Sequence, residues 1–122
     1  MKKLLALLLF AVPMSAQAGH MDVIQVTLKD GCTAVQYAAI AKDFNETFGA
    51  EHGYSAEIAV PLQSQDLNSV FWLGRSANAA AFGAAWDAWR DGQADPSSVP
   101  AKLQARFDKC STNDARRGYD TL

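Results

Sequence analysis

Phe82, Ala85, Trp86 and Trp89 stand three and four residues apart. In a helix that spacing puts them on one face, a stripe of aromatic surface too costly to leave in water. Just before it, Val70 to Gly74 (VFWLG) is a β-branched and aromatic run that predicts a strand. Ser76 is placed to cap the helix, since a serine oxygen can accept a bond from an unpaired first-turn N–H. Ser69 to Asp91 therefore predicts strand, tight turn and amphipathic helix. Any fold for this chain must give that stripe a layer to lie on.

The preceding half supplies one. Asp22 to Lys29 (DVIQVTLK) alternates, with Ile24, Val26 and Leu28 on one face and Gln25 and Thr27 on the other. After the Asp30-Gly31 turn, Thr33 and Gln36 have capping-box spacing. The helix they start carries Tyr37, Ile40, Ala41, Phe44 and Phe48 on its buried side, and Gly49 marks its predicted end. A second strand is expected from about Tyr54 to Leu62, with Ala56, Ile58 and Val60 on one face and Glu57 and Ala59 on the other. Pro61 suits its end or a sheet edge. Gln63 to Asn68 is a short polar connection into the Val70–Gly74 strand.

Beyond the aromatic helix, Gly92 to Pro100 (GQADPSSVP) reads as a loop. Ser98 followed by Val99-Pro100 starts a last helix with proline in its first turn, burying Leu103, Phe107 and Cys110. The tail from Ser111 to Leu122 is polar, with Arg116 and Arg117 adjacent. It is expected either to form a short final strand or to cross the surface as a solvated tail.

The first eighteen residues read as a secretory signal outside this fold. Lys2 and Lys3 precede an apolar run, Leu4 to Val12, too short to span a bilayer, and Ala16-Gln17-Ala18 is a small-x-small cleavage site. Residues 19–122 then form a single domain in the periplasm or outside the cell. Losing the two lysines takes the formal charge from −2 to −4, which gives no electrostatic case for nucleic acid or an anionic membrane. Cys32 and Cys110 are expected to form a disulfide in that compartment. In the chain-entropy model it would contribute ~4 kcal/mol by closing a loop of about 80 residues.

The order β-α-β-β-α, followed by a helix and the ambiguous tail, is that of a ferredoxin-like α+β fold: an antiparallel sheet with helices on one face. Ile24, Val26, Leu28, Ala56, Ile58, Val60, Phe71 and Leu73 are expected to meet the helices. Gln25, Thr27, Glu57, Ala59, Val70 and Trp72 would then form the opposite face, half of it apolar. At ~25 cal/mol per Å², covering a tryptophan and its neighbours contributes several kcal/mol, which favours a homodimer formed by a second copy of that face.

On this element order and on VFWLGRSANAAAFGAAWDAW, the chain resembles the dimeric α+β barrel superfamily over about Asp22 to Asp91. That superfamily includes the antibiotic-biosynthesis monooxygenase and stress-response A/B barrel types. The resemblance implies paired protomers and a space between sheet and helices that often holds a small aromatic or polyketide-like ligand. In the haem-degrading branch a strand Trp works with an Asn on the first strand and a His on the second helix. Here only Trp72 fits, since Gln25 stands on the first strand and the second helix has no His, so no cofactor is expected.

The leading expectation is a domain that binds a small apolar or aromatic ligand through Trp72, Gln25, Thr27 and Val70. The alternatives are a cofactor-independent monooxygenase or related proton-abstracting enzyme, and a structural dimer with no pocket. Glu57, desolvated beside Trp72, would be the catalytic base, and His52 an acid–base group at the pocket mouth. No residue cluster has metal-ligand spacing, and no phosphate loop or nucleophile triad is present.

Overall fold

A computed structural model describes residues 19–122, and the export signal expected at residues 1–18 lies outside them. β1 (Gly19–Leu28) passes through a turn at Gly31, φ 83°, into α1 (Ala34–Phe44). The capping box forms as expected: Thr33 Oγ1 accepts from the Gln36 N–H at 3.2 Å, and Gln36 Oε1 accepts from the Thr33 N–H at 2.8 Å. The helix does not stop at Gly49. It runs on through a π-helical turn, Asn45–Gly49, into a last turn, α2 (Ala50–His52), and Gly53 ends it in the left-handed region at φ 61°.

β2 (Tyr54–Ala59) is shorter than expected and ends before Val60. β3 (Ser69–Ser76) follows, and then α3 (Ala79–Gly92). Asn78 rather than Ser76 caps α3, its Oδ1 accepting from the Ala81 N–H at 2.8 Å. Ser76 still belongs to the ladder, paired with His20 of β1 and Tyr54 of β2. α4 (Val99–Cys110) begins at Ser98, which caps the Ala101 N–H at 3.1 Å. The ambiguous tail is a full strand, β4 (Ser111–Thr121), paired along the whole of β1.

The sheet is antiparallel throughout, in the order β2-β3-β1-β4, and the helices cover one face. Residues directly opposite in the ladder share a face. Trp72 pairs with Ile24 and Ile58, and Val70 pairs with Val26. Val70 and Trp72 therefore point under the helices, each 5 % exposed. This corrects the expected face of β3: Phe71 and Leu73 point outward with Gln25, Thr27, Glu57 and Ala59. All four central residues of β3 are apolar, so alternation there carries no signal. Packing decides it.

Gly74 supplies part of that packing. It sits on the inner face beside Tyr54, and a Cβ there would overlap the Tyr54 hydroxyl. Glycine is the residue that lets the phenol cross above the strand. The outer edge of β2 is closed by one side chain: Asn45 Oδ1 accepts from the Ala56 N–H and Asn45 Nδ2 donates to the Ala56 carbonyl, both at 2.7 Å. The amide thus replaces a neighbouring strand at one rung of an otherwise open edge.

Cys32 and Cys110 form the expected disulfide, Cα atoms 5.2 Å apart, joining the start of α1 to the end of α4. The core between layers holds Ile24, Val26, Val70 and Trp72 from the sheet, and Tyr37, Ile40, Phe44, Phe48, Ala85 and Leu103 from the helices.

Candidate functional site

Between sheet and helices lies a cavity of about 120 Å³, open to solvent on one side. Its floor is Ile24, Tyr54 and Trp72. Tyr37, Phe44 and Phe48 form one wall, and Phe82, Ala85, Trp86 and Trp89 of α3 form the other. Gln104 and Phe107 of α4, with Asn113 and Arg116 of β4, complete the rim. All three tryptophans of the chain line it. The rings meet edge to face: Phe44 lies 5.0 Å from Trp72 at 77°, and Phe48 lies 5.1 Å from Trp89 at 79°. Such pairs are stabilising beyond the area they bury and hold each ring in one orientation.

One buried polar chain fixes the floor. Trp72 Nε1–H donates to Tyr54 Oη at 2.7 Å, and Tyr54 Oη–H donates to Asp22 Oδ2 at 3.0 Å. Arg116 donates to the same carboxylate through two nitrogens, Nε to Oδ1 at 2.8 Å and Nη2 to Oδ2 at 2.5 Å. Asp22 is only 2 % exposed, so its charge is tolerable because this fork and the phenol satisfy it. The Arg116 guanidinium also lies over the Trp86 ring, 4.1 Å from its centroid. A cation held over an aromatic face is attracted to it, so the pair forms one lip of the cavity. Trp86 is consequently 37 % exposed, not a core residue as its place in the stripe suggests. Arg116, read from sequence as part of a solvated tail, is an internal partner.

Burial raises the Tyr54 hydroxyl far above the ordinary tyrosine value, and the Asp22 charge adds to it. Burial likewise raises Tyr37 from 10.0 to about 12. Both phenols thus enter the cavity wall protonated, as donors rather than bases. The sign follows: a phenol whose folded value is raised contributes stability that is complete below pH 10 and lost as pH rises. For Tyr37 the loss runs from pH 10 to about 12 and amounts to roughly 3 kcal/mol when complete. Urea unfolding of the parent and of Tyr37→Phe at pH 8 and pH 11.5 measures it: Tyr37→Phe is expected to lose less stability between the two pH values, the remaining loss belonging to Tyr54.

The other sequence candidates lie elsewhere. Glu57 is on the outer face, its side chain 62 % exposed and paired with Arg75 at 2.9 Å. It is neither desolvated nor beside Trp72. Gln25 is also on the outer face, donating to Ser69 Oγ at 3.2 Å, and Thr27 donates to Asp114 at 2.6 Å. Val70 faces inward but does not line the cavity. His52 packs against Phe48, centroids 4.2 Å apart, and does not line the cavity. Of the expected site residues only Trp72 lines the cavity. Asp22, Tyr54 and Arg116 were not singled out. The available signal was Asp22 itself, which shares alternation parity with Ile24 and Val26 and must therefore be buried with a cation. Among the described residues no group of three or more His, Cys, Asp or Glu could hold a metal ion.

No protein-family model and no curated protein matches the chain. Solved structures do match in fold. A conserved Bacteroides thetaiotaomicron protein of unknown function, described as a possible oxidoreductase, superposes with TM-score 0.55 at 9 % identity, over 87 % of this chain and 100 % of that one. SnoaB, a cofactor-independent oxygenase from Streptomyces nogalater, gives 0.55 at 13 % identity, over 86 % and 94 %. A dabb family protein from Mesorhizobium loti with a ferredoxin-like fold gives 0.51 at 12 % identity, over 87 % and 97 %. At these identities the likeness is one of fold: the chain has a ferredoxin-like α+β architecture.

Proposed function

We propose that this chain is an exported binding domain that takes a small planar aromatic group into the cavity between its sheet and helices. The observation that carries the reading is the cavity wall, made almost wholly of aromatic rings and held by the Trp72–Tyr54–Asp22–Arg116 chain. An apolar cavity of ~150 Å³ accepts benzene, so a space of about 120 Å³ open at one side suits a single ring. The disulfide supports an oxidising compartment. Among the described residues no helix is long and apolar enough to cross a membrane.

Binding is favoured over proton abstraction because, among the described residues, no carboxylate or imidazole lines the cavity. Its ionisable groups are two protonated phenols and a guanidinium. Filling the space tests the reading. Ala85 is 3 % exposed and lines the cavity, so Ala85→Leu would place three more carbons in it. Toluene is expected to raise the melting temperature of the parent protein and leave that of Ala85→Leu unchanged. Equal shifts in the two proteins would place the ligand elsewhere.

The same reading includes a homodimer through the outer sheet face, with a different set of residues from that expected. The two central strands present Met21, Val23, Phe71 and Leu73 there, while Glu57, Arg75 and Arg117 surround them. An apolar centre inside a charged rim is the composition of a protein interface. Sedimentation equilibrium is expected to give twice the chain mass for the parent and a monomer for Leu73→Asp. A monomeric parent would remove the dimer from the proposal.

A further inference from the structure

The aromatic cavity has a polar neighbour. A second cleft, about 350 Å³, lies between the end of β1, the last turn of α4 and the start of β4. Gln104, Phe107 and Asn113 line both spaces, so the two are separated by no more than those side chains. The aromatic cavity alone is smaller than the roughly 300–1,000 Å³ of ordinary small-molecule sites, and with the cleft it enters that range. The polarity changes across the shared residues. Thr112 and Asn113 are exposed and make no side-chain hydrogen bond among the described residues. Lys29 donates to the Asp108 carbonyl and has no carboxylate within ion-pair distance among the described residues. Asp108, the one acidic group in the cleft among the described residues, accepts from Gln104 Nε2 at 2.8 Å.

We propose that cavity and cleft form one elongated site for an amphipathic aromatic monoanion. The ring occupies the aromatic cavity, a short chain passes Gln104 and Asn113, and a terminal carboxylate meets Lys29. Arg116 is the nearer cation, but the Asp22 fork already neutralises it. Among the described residues that line the two spaces, Lys29 is the cation left for a ligand. This assignment rests on the binding reading above and adds to it the charge and the direction of the ligand.

Four probes separate the two claims: toluene, 3-phenylpropan-1-ol, 3-phenylpropylamine and 3-phenylpropionate, each titrated by calorimetry into the parent protein and into Lys29→Met. The carboxylate is expected to bind the parent protein roughly 3- to 5-fold more tightly than the alcohol, the scale of a solvent-exposed ion pair. The amine is expected to bind most weakly of the three chain-bearing probes. Lys29→Met should bring the carboxylate down to the alcohol and leave toluene and the alcohol unchanged. If toluene and the alcohol bind but the carboxylate has no advantage, or keeps it in Lys29→Met, the elongated site is wrong while the cavity stands. If the amine binds most tightly, Asp108 rather than Lys29 recognises the chain and the assignment is overturned. If no probe binds, including toluene, both claims fall.

Discussion

Asp22→Ala is expected to cost the fold about 3 kcal/mol, because removing one partner of a buried ion pair leaves the other uncompensated. The carboxylate is 2 % exposed and accepts three of the bonds that hold the cavity floor. Without it the Tyr54 hydroxyl keeps its bond from Trp72 but has no acceptor for its own proton. The Arg116 side chain, 35 % exposed, can recover some hydration, which puts the cost at the lower end of the ~3–5 kcal/mol usual for such losses. Arg116 also loses the fork that aims it at Trp86, so ring binding should weaken along with stability. Asp22→Asn keeps an acceptor for Tyr54 and is expected to cost less than alanine. Urea midpoints for the three proteins measure this, and an alanine cost under about 1 kcal/mol would mean the chain does not hold the floor.

The second large effect comes from the disulfide. Cys32 and Cys110 are separated by 78 positions, and cross-linking a loop of that length contributes about 4 kcal/mol in the chain-entropy model. The double variant Cys32→Ser/Cys110→Ser, which leaves no free thiol, is expected to lose most of that. The bridge joins α1, which carries Tyr37, to α4, which carries Phe107, and those rings meet across the cavity at 5.7 Å. Its loss should therefore loosen the cavity wall as well as the fold. Denaturant unfolding of oxidised parent and double variant reads the difference, and coincident midpoints would show that the bridge constrains nothing the core does not.

What could be read from residues alone divides along physical lines. β1 was legible from the strict alternation of apolar and polar residues over Ile24 to Leu28, α1 because it has one apolar face, and the Thr33–Gln36 box is local. The start of α4 at Ser98 and Pro100 was legible for the same reason. β3 was legible as a strand but its facing was not: Val70, Phe71, Trp72 and Leu73 are apolar at both parities, and the deciding contact, Gly74 against Tyr54, comes from another strand. Arg75 did carry a clue, since it shares parity with Leu73 and a charged residue belongs outside. β4 was obscured because as an edge strand it buries little, and what anchors it is Arg116 reaching Asp22, 94 positions away. The fold could be inferred from element order, while the cavity depended on which way one strand faced. Placing Trp72 outside put the expected site, with Glu57 and Gln25, on the wrong side of the sheet.

Because Trp72, Trp86 and Trp89 are the chain's three tryptophans and all line the cavity, their indole N–H resonances report on it without any mutation. In a ¹H–¹⁵N spectrum titrated with toluene, all three indole signals are expected to move together and saturate at one concentration, while the backbone amides of Val23 and Leu73 stay still. Indole signals that remain fixed while those outer-face amides shift would contradict a binding cavity beneath the helices.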